Sequence, residues 1–184
     1  QGNRLIWADY IRESDYATVL TYDTFLRTIS VFGDAIPGEP REFVPSPVSD
    51  TIIIRQRTDV AFVLNAAMKR FEQLGSAPLA RAWVSSDGKR IAFLQAGSAD
   101  LFVRDVRTAV TIGFPVSSAP IRDIAWYRDS FHLFAHADDG IFFLDIDEKT
   151  PMYAPRIAEP ARAIRYDSGQ NRLLFTREDG SRHF

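Results

Sequence analysis

The feature that most constrains this chain is a recurrence at about forty residues. A basic or polar residue leads into three apolar ones at Asn3-Arg4-Leu5-Ile6-Trp7, Lys89-Arg90-Ile91-Ala92-Phe93 and Asn171-Arg172-Leu173-Leu174-Phe175. Weaker copies stand at Thr51-Ile52-Ile53-Ile54 and Phe131-His132-Leu133-Phe134. Their last residues, at 7, 54, 93, 134 and 175, are spaced by 47, 39, 41 and 41. Two further markers keep the same period. Apolar runs end in a carboxylate or amide at Asp23, Asn65, Asp105 and Asp145, spaced by 42, 40 and 40. Aromatic residues precede the basic-apolar run at Trp83, Trp126 and Tyr166, spaced by 43 and 40. This puts all three at one position of the repeat, where large rings build a packed core between units.

Forty residues is the length of one four-stranded antiparallel unit of a radially repeated sheet protein. The apolar runs are short, rich in β-branched and aromatic residues, and bounded by Asp, Gly, Ser, Asn and Pro, so each unit reads as strand, turn, strand, turn, strand, turn, strand. Ser85-Ser86-Asp87-Gly88-Lys89 shows the turn chemistry. Asp87 favours the turn through side-chain hydrogen bonds and Gly88 takes a positive φ without a Cβ clash. Asp129 stands in the corresponding turn of the next unit, with Ser130 where the first has glycine. The fold class expected is all-β. The competing reading is a helix from Asp59 to Gly75, with Val60, Val63, Leu64, Ala67, Met68, Phe71 and Leu74 on one face.

The run Ala82-Trp83-Val84-Ser85-Ser86-Asp87-Gly88-Lys89-Arg90-Ile91-Ala92-Phe93 resembles the TolB-like, WD40-like propeller repeat, with its Trp, Ser-Pro-Asp-Gly-Lys-type turn and apolar strand. Asp100 to Val106 is similar to the third strand of that repeat and its terminal Asp. Residues 121–184 also look like the propeller that accompanies PEGA domains in some bacterial cell-envelope proteins. The first 77 residues resemble the family only in strand spacing, and no Trp-Asp dipeptide occurs. The resemblance implies β-propeller blades of four antiparallel strands, about four blades' worth. The units expected are 1–40, 41–77, 78–119, 120–160 and a partial 161–184. The length suits a fragment of a larger ring better than a closed ring of four.

Candidate chemistry is sparse. His132 and His136, with Asp138 and Asp139, are the only local cluster of metal-ligand types, but alternate strand residues are roughly 7 Å apart. They read as polar strand and loop residues, and neither a metal nor a cofactor is expected. Asp145, Asp147 and Glu148 lack the glycine and closing glutamate of a calcium loop and read as a strand-end turn. There is no Gly-x-Ser-x-Gly, His-Glu-x-x-His or phosphate-loop motif, and no Cys for a thiol nucleophile. A formal charge of −2 argues against a nucleic-acid binder, since phosphate neutralisation needs a net basic face. Of 22 basic residues only three are Lys, and the Arg cluster at 122, 128, 156, 162 and 165 reads as surface partners of nearby acids.

No run of 18 apolar residues spans a bilayer, and an anchor outside these residues stays open. The residues to which the repeat assigns a structural role are Trp83, Asp87, Gly88, Asp105, Trp126, Asp129, Asp145 and Tyr166. The resemblance implies a non-catalytic binding or scaffold module with a protein or peptide partner, in the bacterial cell envelope. Its alternative is the gating propeller of a prolyl-oligopeptidase-like peptidase whose catalytic domain lies elsewhere.

Overall fold

The computed structural model describes residues 4–31, 33–45, 51–65, 69–146, 154–177 and 180–183, and among these every regular element is a strand. Five antiparallel sheets follow one another along the chain. The first holds β1 (Arg4–Ile11), β2 (Tyr16–Asp23), β3 (Thr28–Val31) and β4 (Ile36–Pro37). Here β3 pairs with Leu20–Asp23 and β4 with Tyr16–Ala17, so the two form one interrupted row beside β2. The second sheet runs β5 (Pro40–Pro45), β6 (Ile52–Gln56), β7 (Ala61–Asn65) and β8 (Arg70–Gln73). The third is β9 (Leu79–Val84), β10 (Arg90–Gln95), β11 (Leu101–Asp105) and β12 (Thr111–Phe114). The fourth is β13 (Ile121–Trp126), β14 (His132–Ala137), β15 (Gly140–Asp145) and β16 (Arg156–Ala158). The fifth is β17 (Ala163–Asp167), β18 (Arg172–Thr176) and β19 (Arg182–His183).

The described residues between 59 and 75 form β7 and β8 rather than a helix. Ala61, Val63 and Leu64 are all buried, so both faces of β7 are covered. A strand covered on both faces reads as a continuous apolar run, which mimics a buried helix segment. Asp59, the expected helix cap, instead takes a left-handed φ of 62° in the β6–β7 turn.

The chain divides into two compact units, Gln1–Ser46 with Asp50–Leu79, and Pro47–Ser49 with Ala80–Phe184. In the first unit Ala17, Val19 and Ile36 pack on Ile52 and Ile54 from the second sheet, with Ile6, Ala8, Tyr10, Phe43, Phe62 and Phe71 around them. Alternation along β2 puts Ala17, Val19 and Thr21 on the covered face. Each fully buried aliphatic side chain of this kind contributes about 1.5–3 kcal/mol.

In the second unit one core joins the third and fourth sheets. Ala92, Leu101 and Val103 meet Ile124, Leu133, Ala135 and Leu144 there. The next core joins the fourth and fifth sheets through Phe134, Ile141 and Ile164, with Tyr127, Phe143, Tyr166, Leu173 and Phe175 packed against it.

The turns that open the third and fourth sheets are built alike. Ser85 N–H donates to Arg90 O and Gly88 N–H to Ser85 O; Tyr127 N–H donates to His132 O and Ser130 N–H to Tyr127 O. Gly88 has φ 70° and Ser130 φ 61°. Ser130 therefore holds the conformation glycine takes freely, at a cost of about 1–2 kcal/mol for an L residue. These matches set the third and fourth sheets 42 residues apart.

Candidate functional site

Each aspartate that the repeat singles out lies at the end of a sheet where strands turn. Asp105 Oδ1 accepts from the N–H groups of Arg107 at 3.0 Å and Thr108 at 2.8 Å, and from Thr108 Oγ1 at 3.0 Å. Asp129 Oδ1 accepts from Phe131 N–H at 2.9 Å and His132 N–H at 3.1 Å. Asp87 Oδ1 accepts from Ser85 Oγ at 2.7 Å and Lys89 N–H at 3.0 Å. Asp23 and Asp167 cap their turns the same way. A carboxylate that accepts local N–H groups locks a turn in place of a second backbone strand. Burial pushes the Asp87 carboxyl up, but hydrogen bonds from Ser85, Lys89 and Ser130 outweigh it and leave the pKa lowered. Asp129 is likewise raised by burial and brought lower overall by the Phe131 N–H and by His132.

Trp83 and Trp126 do not share a position. The 42-residue offset makes Ala125 the counterpart of Trp83 and Val84 the counterpart of Trp126. The two indoles lie on opposite faces of their sheets and meet in the single core between the third and fourth sheets. Trp126 Nε1–H donates to Trp83 O at 3.1 Å, and Trp83 Nε1–H donates to Asp123 Oδ1 at 3.0 Å. Tyr166 is the counterpart of Trp126, because Tyr166 pairs with Leu173 as Trp126 pairs with Leu133. Its ring packs 5.0 Å from Tyr127 and 5.8 Å from Phe134.

Asp145 faces His132 across β14 and β15. His132 stands between two carboxylates, with Nδ1 2.7 Å from Asp129 Oδ2 and Nε2 3.8 Å from Asp145 Oδ1, and its ring stacks on Phe143 at 5.1 Å. This arrangement orients the imidazole and ties the β13–β14 turn to the end of β15. Arg90, which precedes β10's apolar run as His132 precedes that of β14, donates to Ser130 O at 3.2 Å and lies 3.9 Å over the Phe131 ring.

The other members of the histidine cluster are apart in role. His136 is buried and its Nδ1 has no hydrogen-bond partner. Arg122 Nη2 holds Asp138 Oδ2 at 2.8 Å, and this bond, first among its influences, lowers the carboxyl's pKa. Asp139 accepts from Ser117 Oγ at 2.6 Å. Among the described residues no three His, Cys, Asp or Glu side chains are grouped to hold a metal ion, and Asp147 and Glu148 lie outside the described residues.

Two surface features of the first sheet escape a reading of the repeat alone. Register places Leu5 beside Tyr22, Trp7 beside Leu20 and Ile11 beside Tyr16, and carries Leu20 and Tyr22 on to Val31 and Ile29. All lie on the face opposite the core, and six of the eleven exposed large hydrophobic residues described stand on the strands of this sheet. The second feature is the β2–β3 turn, where Phe25 is 86% and Leu26 64% exposed. It is the same turn as Asp105–Val110: each has a capping Asp and a left-handed fifth residue, Arg27 at φ 54° and Ala109 at φ 62°. The third sheet carries exposed Arg107 and Thr108 where the first carries Phe25 and Leu26. The signal in the sequence was the presence of apolar residues on both faces of β1, with Leu5, Trp7 and Ile11 on one and Ile6, Ala8 and Tyr10 on the other.

No protein-family model and no curated protein matches the sequence. Solved structures do. The C-terminal WD40 domain of Sif2 is similar at 15% identity and a TM-score of 0.63, covering 97% of this chain and 53% of that one. An oligogalacturonate lyase in complex with manganese is similar at 12% identity and a TM-score of 0.60, covering 97% and 60%. A complex of KlAtg21 with the coiled-coil of AgAtg16 is similar at 14% and 0.60, covering 96% and 64%. The chain thus has the β-propeller fold and spans about half to two thirds of the length of these propeller chains.

Proposed function

We propose that this chain is a non-catalytic, protein-binding β-propeller module that engages a protein or peptide partner through the turn end of its first sheet. The observation that carries the reading is the display of Phe25 and Leu26. A turn locked by Asp23 holds two large apolar side chains in water, where the same turn in the third sheet holds Arg107 and Thr108. Rigid apolar anchors of this kind lose little conformational entropy on binding and supply the buried centre of an interface. The similar structure of a propeller with a coiled-coil supports a protein as the class of partner. The TolB-like turn at Ser85–Lys89 supports a place in the bacterial cell envelope, which cell fractionation tests.

The binding test compares the chain with its Phe25→Asp/Leu26→Asp variant as immobilised bait, with Arg107→Asp/Thr108→Asp as the control. A partner held by the parent and the control and lost at least tenfold by the variant, at unchanged melting temperature, is expected. Equal retention by all three overturns the reading.

A further inference from the structure

Two positions of the first sheet's exposed face, Leu5 and Trp7 on β1, have counterparts in the other four sheets that are buried in the second, third and fourth and half-buried in the fifth. Cross-strand register gives the equivalence. Arg4 pairs with Asp23, Arg90 with Asp105 and His132 with Asp145, so Leu5 corresponds to Ile91 and Leu133, and Trp7 to Phe93 and Ala135. In the second sheet Ile52 and Ile54 occupy these positions, and in the fifth Leu173 and Phe175 do. Ile52, Ile54, Ile91, Phe93, Leu133 and Ala135 are 0–2% exposed, whereas Leu5 is 59% and Trp7 37% exposed.

What covers the counterparts is known in three cases. Ile52 and Ile54 lie against the first sheet, Leu133 and Ala135 against the third, and Leu173 and Phe175 against the fourth. In each, the cover is the face of the sheet that precedes in the chain. The edge of β1 agrees with its face. Its counterparts β6, β10 and β14 each have a strand on both sides, while β1 stands at an edge, paired with β2 alone among the described residues.

We infer that the face of the first sheet bearing Leu5 and Trp7 is an inter-blade surface, and that its occupant is a further propeller blade of the same polypeptide. An apolar sheet face, interrupted on β1 only by Asp9, matches the face of another sheet and has no basic array for an anionic surface. Sheets of this kind stack at about 10 Å with interdigitated side chains. The propeller chains similar to this one are longer by a third or more of their own length, which is room for such a blade. The proposal is independent of the partner-binding turn, since Phe25 and Leu26 lie at the end of the sheet and not on its face.

Thiol labelling tests it in the whole polypeptide as the cell makes it, with modification read by mass spectrometry on the peptide that carries the site. The 184 residues contain no cysteine, so Leu5→Cys and Phe25→Cys each add one thiol to this region. The Leu5→Cys thiol is expected to react with a maleimide at least tenfold more slowly than the Phe25→Cys thiol, at a rate ratio independent of protein concentration. Equal reactivity at the two sites overturns the inference. So does protection of residue 5 that disappears on dilution, because the cover is then a second copy. Loss of partner binding by the Phe25→Asp/Leu26→Asp variant is unaffected by either result, so the two readings fail separately.

Discussion

Leu5 and Trp7 in the first sheet and Leu133 and Ala135 in the fourth occupy the same two positions of the repeat, yet the first pair stands in water and the second is fully buried. The strands, the register and the closing aspartate are the same. The difference teaches that the repeat determines which side chains a sheet offers, while a neighbouring sheet determines whether they become a core. It also separates two kinds of exposed apolar residue in the first sheet. Leu5 and Trp7 on the face match buried counterparts in the second, third and fourth sheets, and Phe25 and Leu26 match Arg107 and Thr108, which are exposed. The former is a packing surface by its repeat equivalents and the latter a departure from them.

The comparison breaks most easily on size of effect. Leu133→Ala removes a side chain with no exposed surface from the core between the third and fourth sheets and is expected to cost about 2–5 kcal/mol. Leu5→Ala in the 184-residue chain removes an exposed side chain at the same repeat position and is expected to stay within about 0.5 kcal/mol. Urea denaturation of both variants measures the gap. Equal losses would show that the first sheet's face is as well packed as the fourth's. A third measurement sharpens the result, because Leu5→Ala in the whole polypeptide is expected to move toward the cost of Leu133→Ala once a blade covers the face.

The turns give a smaller effect of the opposite kind, a predicted sameness. Asp23 and Asp105 each accept two backbone N–H groups in turns of one geometry. Replacing either with Ala leaves those donors to water and is expected to cost about 1 kcal/mol, the range of a lost local cap. Matched shifts in the urea midpoint are expected for the two variants. A loss confined to Asp105→Ala would show that the first sheet's turn is not held by its aspartate, and would remove the rigidity on which the display of Phe25 and Leu26 depends.

The sequence made the fold class legible because three markers of different chemistry share one period, and because Asp87-Gly88 writes a turn that few other residues allow. It misaligned the aromatic marker. Trp83 and Trp126 both sit on the first strand of a sheet, and a one-residue slip on a strand moves a side chain to the opposite face. The hydrogen bonds from Ser85 to Arg90 and from Tyr127 to His132, together with the cross-strand register, fix the slip, and they involve backbone atoms that composition does not encode. Ser130 hid the equivalence further, since it takes glycine's φ without glycine's signature. The exposed Phe25–Leu26 turn was not legible because a Phe-Leu pair between strands reads as more of the strand until the Asp23 cap shows where the chain reverses.

The smallest expected effect concerns pH and the opening turns of the third and fourth sheets. Asp87 and Asp129 are raised by burial and lowered further by the hydrogen bonds they accept, so their folded-state pKa values lie below the ordinary aspartate value of about 3.9. In the unfolded chain both take up protons first as the pH falls. Their stabilising contribution is therefore complete above about pH 5 and is lost progressively as the pH falls through 4 toward their folded values. Asp87→Asn and Asp129→Asn remove that titration, and the double variant is expected to be less stable at pH 7 and to lose less stability between pH 5 and pH 3 than the parent. Both turns are tied to one another through the 3.1 Å contact of Ser86 Oγ with Ser130 Oγ. The two single variants are accordingly expected to be non-additive, as groups sharing one hydrogen-bonded network are. An acid limb equally steep in parent and double variant would place the acid sensitivity in other carboxylates and leave these two turns held by their backbone bonds alone.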